Sequence, residues 1–353
     1  MPTTFNLDQL IRANIRKMKP YSSARDEYSG TAEVYLDANE NPFNNGLNRY
    51  PDPHQKALKQ RIAQLKKVKP EQVFLGNGSD EPIDLLFRAF CEPGLDHAVF
   101  IAPSYGMYEV AANTNNVAFS QVQLTPEFHL DTEAILLAAK RKHGATVSSK
   151  LIFLCSPNNP SGNLLDKAAV KLLLDNFKGL VVVDEAYIDF AGDKGWLPEL
   201  SDYPNLVVLQ TLSKAWGMAG IRLGMAFASA AIVSVLDKIK PPYNINELTQ
   251  QAALKALQDV KPVQQQISQI VEERGKLAHG LRSLSFVQRA YPSKANFLLV
   301  KTNDAPKVYD YCLSNGIILR DRSKMPGCEG CVRVTVGTPD ENLRLLEVLR
   351  SLR

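Results

Sequence analysis

No stretch of the 353 residues stays apolar for the roughly 20 positions that a membrane-spanning helix requires, so no transmembrane helix is expected. Residues Met1–Ile15 hold no continuous apolar core and include Asp8, so they are not expected to be a secretory signal. Cysteine is scarce and odd in number, five in all, which argues for buried thiols in a reducing cytoplasm rather than a disulfide framework. The one close pair, Cys328-Glu-Gly-Cys331, has no second pair and no neighbouring histidine; it makes a poor zinc site, and a disulfide or redox role for it is the minor reading. The five histidines (His54, His97, His129, His143, His279) form no metal-ligand spacing, and no metal is expected. Two enzyme signatures are missing as well, the Gly-x-Ser-x-Gly nucleophile elbow and the G-x-G-x-x-G dinucleotide fingerprint. Net charge is only +4, and the basic clusters Lys66-Lys67 and Arg141-Lys142 are short and sit in amphipathic segments. They read as solvated faces, and nucleic-acid binding is not expected.

What the chain does have is apolar residues, 45% of the total, and enough length for roughly two domains. Helical spacing over residues 5–18 ends at Pro20, and an irregular, turn-rich stretch follows through Pro53. Short apolar runs then alternate with helical patterns. The runs are Gln72–Leu75, Ala98–Ile101, Val117–Val122, Leu151–Cys155, Leu180–Val183, Asn205–Leu209 and Gly224–Ala228. This rhythm predicts an α/β fold with a mostly parallel, doubly wound sheet, in which ligands bind outside the carboxyl ends of the strands. Pro241-Pro242 reads as a linker. Beyond it we expect one long helical stretch (Glu247–Leu284), strands at Phe297–Val300, Gly316–Leu319 and Cys331–Val336, and a terminal helix at Asp340–Leu352. The expected division is an N-terminal arm (1–30), a large domain (31–245) and a smaller α/β C-terminal domain (246–353).

The residues suited to chemistry fall at the ends of the apolar runs. Lys214 follows one of them in Thr211-Leu-Ser-Lys-Ala-Trp-Gly, and Arg222 comes soon after. A lysine aimed from a strand end into a cavity, with hydroxyls and a guanidinium beside it, suits a Schiff base with an aldehyde carried on a phosphorylated cofactor. Gly76-Asn-Gly-Ser-Asp80 links a strand to a helix, where glycines and free N–H groups can meet a phosphate and Ser79 is the expected N-cap. Asn159 stands on a proline-bounded turn. Asp184 ends an apolar strand, where a buried carboxylate needs a partner that a protonated heterocyclic nitrogen would supply.

Taken in order, Gly78-Ser-Asp80, Tyr105, Asn159-Pro-Ser-Gly162, Asp184-x-x-Tyr187, Ser213-Lys214, Arg222 and Arg333 resemble the fold-type I aminotransferases that use pyridoxal 5′-phosphate. The likeness spans essentially the whole chain. Within that group the segments Leu36-Asp-Ala-Asn-Glu-Asn-Pro42, Arg49-Tyr-Pro51, Asp184-Glu-Ala-Tyr-Ile-Asp-Phe190, Ile318-Leu-Arg-Asp321 and Cys331-Val-Arg-Val-Thr-Val-Gly-Thr338 resemble the histidinol-phosphate aminotransferases; Cys328 departs from expectation but touches no motif position.

The resemblance implies a homodimer and transamination between L-histidinol phosphate and 2-oxoglutarate, in a ping-pong cycle through a Lys214 Schiff base. It also implies roles for the matching residues. Asp184 would keep the cofactor ring nitrogen protonated, Tyr187 and Asn159 would donate to its phenolic oxygen, and Tyr105 would stack on the ring. Ser79, Asp80, Thr211, Ser213 and Arg222, with Tyr50 from the neighbouring subunit, would hold the cofactor phosphate. Tyr21, Asn39, Arg320 and Arg333 would meet substrate. An aromatic amino-acid aminotransferase and a phosphothreonine decarboxylase of the same fold are the rival enzymes. A non-catalytic cofactor-binding regulator is the rival from another class; the intact Lys214, Asp184 and Tyr187 set, and the lack of a DNA-binding extension, argue against it.

Overall fold

The structure, a computed structural model, describes residues 5–22, 32–140 and 149–352. Arg141-Lys142, His143 and part of the N-terminal arm lie outside the described residues. All seven apolar runs of the first two-thirds of the chain become strands of one sheet: β1 (Val73–Asn77), β2 (His97–Ala102), β3 (Ala118–Gln123), β4 (Ser149–Cys155), β5 (Leu180–Asp184), β6 (Leu206–Thr211) and β7 (Leu223–Phe227). Their order is β1-β7-β6-β5-β4-β2-β3. Pairings among β6, β5, β4, β2 and β3 are parallel, and β7 runs against both its neighbours. Composition could not reveal that reversal. Its cause is the short connection from β6 to β7, which is too brief for a crossover helix.

The centre of the sheet is apolar on both faces: Leu180, Val181, Val182 and Val183 of β5 are fully buried. One face packs on the helix Asp80–Phe90 through Phe74, Phe87 and Phe153, with Phe87 and Phe153 stacked at 5.4 Å. The other packs on Ile62, Leu173 and Ile245. Burial of each such side chain contributes about 1.5–3 kcal/mol.

The expected single helix over residues 5–18 is two short ones, Leu7–Leu10 and Ala13–Lys17. The break falls at Arg12, whose N–H donates to the Ala89 carbonyl and whose guanidinium pairs with Glu92, so tertiary bonds win over helix continuity. The long C-terminal stretch also divides, into Glu247–Ala256 and Lys261–Arg282, with Pro262 in the first turn of the second helix. Packing changes hands there. Ala253 and Leu257 join the core of the large sheet, whereas Leu277 and Leu281 pack on a four-stranded sheet.

That second sheet is antiparallel, in the order β10-β11-β9-β8, from β8 (Val287–Ala290), β9 (Phe297–Thr302), β10 (Arg320–Asp321) and β11 (Cys331–Thr335). β8 has no clear apolar run and was not expected. Gly316–Leu319 is not a strand, because Gly316 and Ile317 donate back to the end of the helix Ala305–Ser314 and pairing begins only at Arg320.

Candidate active site

The carboxyl ends of β1, β4, β5 and β6 meet the start of the reversed β7 around a cavity of ≈ 580 Å³ of empty space, part of it open to solvent. Close backbone contact builds one wall. A Cβ on Gly224 would collide with the Gly78 carbonyl carbon and the Ser79 nitrogen, so only glycine lets β7 lie against the loop after β1. Gly78 itself has φ +68° and lies under Arg222, whose Nη2 would stand 2.5 Å from an added Cβ. Arg222 is itself left-handed, at φ +52°, and its carbonyl accepts the Gly78 N–H at 2.8 Å. Such a backbone strained at a non-glycine residue persists where it aims a side chain.

Ser79 occupies the N-cap position of the helix Asp80–Phe90, but its side chain makes no capping hydrogen bond, contrary to expectation. The helix start therefore retains uncapped N–H groups toward the cavity, a favourable setting for an anion. Ser213 and Thr211 join this end, with Thr211 Oγ1 2.9 Å from Ser213 Oγ. The Arg222 guanidinium reaches Ser213 Oγ at 3.4 Å and Asp80 at 3.5 Å.

Asp184, the last residue of β5, is 2% exposed. Its carboxylate accepts the Tyr108 hydroxyl at 2.8 Å and the Ala186 N–H at 3.0 Å. Burial nonetheless pushes its pKa up to about 6, against the opposing pull of those two bonds. Tyr108 is a functional partner that sequence reasoning missed; the only signal was that a buried Asp184 required one. Glu185, next along, is also buried and pushed by burial to about 7; it accepts from Gln210 Nε2 and the Trp196 N–H and so fixes the chain just past Asp184.

Lys214 lines the same cavity, its Nζ 5.7 Å from the centre of the Tyr187 ring. Burial first, then the Arg333 and Arg222 charges, lower its pKa, outweighing the pull of Asp184 and Asp80. A lowered pKa leaves more of the nucleophilic free amine near neutral pH. Tyr105 donates its hydroxyl to Asp80 at 3.1 Å and lines the pocket. Tyr187 is braced edge-on by Phe297 of β9, which brings the second sheet to the site.

Asn159 is held by its loop. Neighbouring Asn158 is fully buried and donates to the Pro103 carbonyl and Ser161 Oγ. Asn159 Oδ1 accepts Arg333 Nη1 at 2.6 Å, which leaves its Nδ2 for the cavity. Arg333 and Arg320 are directly paired across β11 and β10, so both project from one face of the sheet. Arg320 forms no ion pair among the described residues. The two nearby acids make other contacts: Asp321 accepts the Ser323 N–H and Glu329 the Gly327 N–H.

Five expected site residues are not in the lining of this cavity: Arg333, which reaches it through Asn159, Arg320, paired with Arg333 across the strands, and Tyr21, Tyr50 and Asn39. Tyr50 and Asn39 line a separate groove with Glu40, Arg49 and Leu248. Tyr50 is 51% exposed and stacks on Tyr243 at 4.4 Å, and Tyr21 is exposed. Cys328 and Cys331 are both free, buried thiols whose pKa burial pushes up, to about 12 for Cys328 and about 11 for Cys331. They are therefore poor nucleophiles, and the pair forms no disulfide. No metal-ligand cluster occurs among the described residues, and none of their helices is long and apolar enough to cross a membrane.

These residues fit pyridoxal 5′-phosphate. A buried carboxylate faces one end, an anion cradle of backbone N–H groups, hydroxyls and a guanidinium faces the other, and a perturbed lysine lies beside them. Comparison with known proteins agrees. The family model for aminotransferase class I and II matches residues 25–349. A histidinol-phosphate aminotransferase of Cytophaga hutchinsonii is 56% identical over 351 residues, covering 98% of this chain and 99% of that protein. The crystal structure of the histidinol-phosphate aminotransferase from Clostridium acetobutylicum superposes with a TM-score of 0.78 at 27% identity, covering 86% of this chain and 90% of that one. That from Sinorhizobium meliloti, in complex with pyridoxal 5′-phosphate, gives 0.76 at 25% identity, covering 86% and 84%. The chain therefore belongs to the class I and II aminotransferases and, within them, to the histidinol-phosphate aminotransferase family.

Proposed function

We propose that the protein interconverts L-histidinol phosphate plus 2-oxoglutarate and imidazole-acetol phosphate plus L-glutamate, with pyridoxal 5′-phosphate held in the Lys214 cavity. When bound, the cofactor supplies an electrophilic carbon and an electron-accepting ring. The chain supplies the rest. Ser79, Asp80, Thr211, Ser213 and Arg222 would bind the cofactor phosphate. Asp184 would hold a proton on the ring nitrogen, since opposite charges in contact favour both ionised forms. Tyr187 Oη and Asn159 Nδ2 would orient the ring, and Tyr105 would cover its face. Lys214 Nζ would take the proton from the substrate carbon that bears the amine.

The observation that carries the substrate assignment is the pair Arg320 and Arg333, opposed in register on one sheet face, with Arg320 free of any acid among the described residues. One amine substrate ends in a phosphomonoester and the other in a carboxylate, and a guanidinium fork binds either. The names of the relatives support the same substrate. The second chain of a homodimer would bring Tyr50 to the neighbouring cavity. In support, Tyr50 stands outside its own cavity, 51% exposed, in a stretch of chain whose Leu36, Phe43 and Leu47 are exposed as well.

Mixing cofactor-loaded enzyme with one amine at a time tests the reading. L-Histidinol phosphate and L-glutamate should each discharge the cofactor's visible absorbance, and 2-oxoglutarate should restore it. A response to phenylalanine or tyrosine but not to histidinol phosphate would assign an aromatic amino-acid aminotransferase instead.

A further inference from the structure

We propose that Arg322 is a third guanidinium of the substrate-anion pocket and sets the preference for a phosphomonoester over a carboxylate. This rests on the reading above. The Arg322 N–H donates to the Cys331 carbonyl at 2.9 Å, which extends the β10–β11 pairing by one residue. Residues two apart on a strand share a face, so Arg322 projects on the side that carries Arg320 and, across the pair, Arg333. That side also carries Leu299 of β9, packed in the core of the large sheet, whereas Val332 and Val334 turn to the helices behind. The three arginines thus face the cavity domain together.

Nothing of opposite charge meets Arg322. Its side chain makes no hydrogen bond or ion pair among the described residues, and its Nε is buried without a partner, as is the Nε of Arg333. Burial and the charges of Arg333 and Arg320 hold its pKa down at about 10, and its own charge is felt at Tyr187. Buried donors nearly always find an acceptor, so three converging guanidiniums with two orphaned N–H groups describe a site for an anion richer in oxygen than a carboxylate. A carboxylate has two oxygens, which one fork can satisfy. A phosphomonoester offers three free oxygens and a charge of about −1.5 to −2 near pH 7.

The test compares wild type with Arg322→Gln, both cofactor-loaded, on each half-reaction. A charge-assisted hydrogen bond corresponds to about a 10- to 150-fold change in equilibrium. The variant should therefore lose about 10- to 100-fold in kcat/KM for histidinol phosphate and at least five-fold less for glutamate. The loss on the phosphorylated substrate should shrink below about pH 6, where the phosphate becomes a monoanion. Inorganic phosphate should inhibit the glutamate half-reaction more weakly in the variant. Arg322→Lys, which keeps the charge, should recover part of the loss and serves as the probe if the glutamine variant does not fold. Equal losses on both substrates, or a loss that does not vary with pH, would make Arg322 a packing residue and overturn the proposal. A wild type that does not turn over histidinol phosphate at all would instead overturn the underlying functional reading.

Discussion

Replacing Asp184 with asparagine should make the cofactor-free protein more stable while disabling it. Burial lifts the Asp184 pKa from 3.8 to about 6, although Tyr108 and the Ala186 N–H favour its ionised form. The native state thus holds this proton more tightly than the unfolded chain. Stability from this group is fully present below about pH 4, declines as pH rises through the window to about pH 6, and stays low above it. At about 1.4 kcal/mol per unit, the roughly 2-unit rise makes ionised Asp184 cost about 3 kcal/mol. Asparagine is close in shape to the neutral acid. Its oxygen can accept from Ala186, and its amide can donate to the Tyr108 oxygen. Without cofactor, Asp184→Asn should melt roughly 3–6 °C above wild type at pH 8, with the gap closing toward pH 4. Glu185 titrates in both proteins, so the difference isolates Asp184. With cofactor the variant should lose about 10²- to 10³-fold in kcat, since removing one partner of a buried ion pair costs roughly 3–5 kcal/mol. Equal melting temperatures at pH 8 would refute the buried-charge argument. Near-normal turnover would refute the pairing with the ring nitrogen.

Arg320→Ala should lower kcat/KM for histidinol phosphate by about 10- to 150-fold and affect phenylalanine less; equal losses, or none, would remove Arg320 as a phosphate ligand. Tyr50→Phe and Lys214→Ala chains, each impaired alone, should regain partial activity when allowed to exchange subunits, because one site of the hybrid then carries both good residues. No recovery in demonstrated heterodimers would mean that Tyr50 does not cross between subunits. Gly224→Ala should force β7 away from Gly78 and Ser79, weaken cofactor binding measured by equilibrium titration, and lower stability by about 1–3 kcal/mol; unchanged affinity would show that the loop after β1 is not the phosphate cradle.

The strands of the large sheet were legible because each is a short apolar run between turn formers, and residues at their ends, such as Asp184 and Thr211, come together because parallel strands share a carboxyl end. The reversal of β7 was not legible, since direction leaves no mark on composition. Arg12 breaks a well-formed helical pattern through bonds to Ala89 and Glu92 that lie far off in sequence. β8 is half exposed and only four residues long, with its two polar residues adjacent, so its pairing with β9 leaves no alternation to detect. The site was read through motifs, and whatever lay between them was missed. Tyr108 reaches Asp184 from a helix 76 positions away in sequence. Arg322 gains its meaning only from the register that sets it beside Arg320 and opposite Cys331.

The central claim is that Lys214 is the residue that bonds to the cofactor. Reducing the cofactor-loaded protein with borohydride, digesting it and weighing the peptides tests this directly. The pyridoxyl mass should appear on the peptide that contains Lys214 and vanish in Lys214→Ala. The same mass on any other lysine, or its persistence in the variant, would contradict the account.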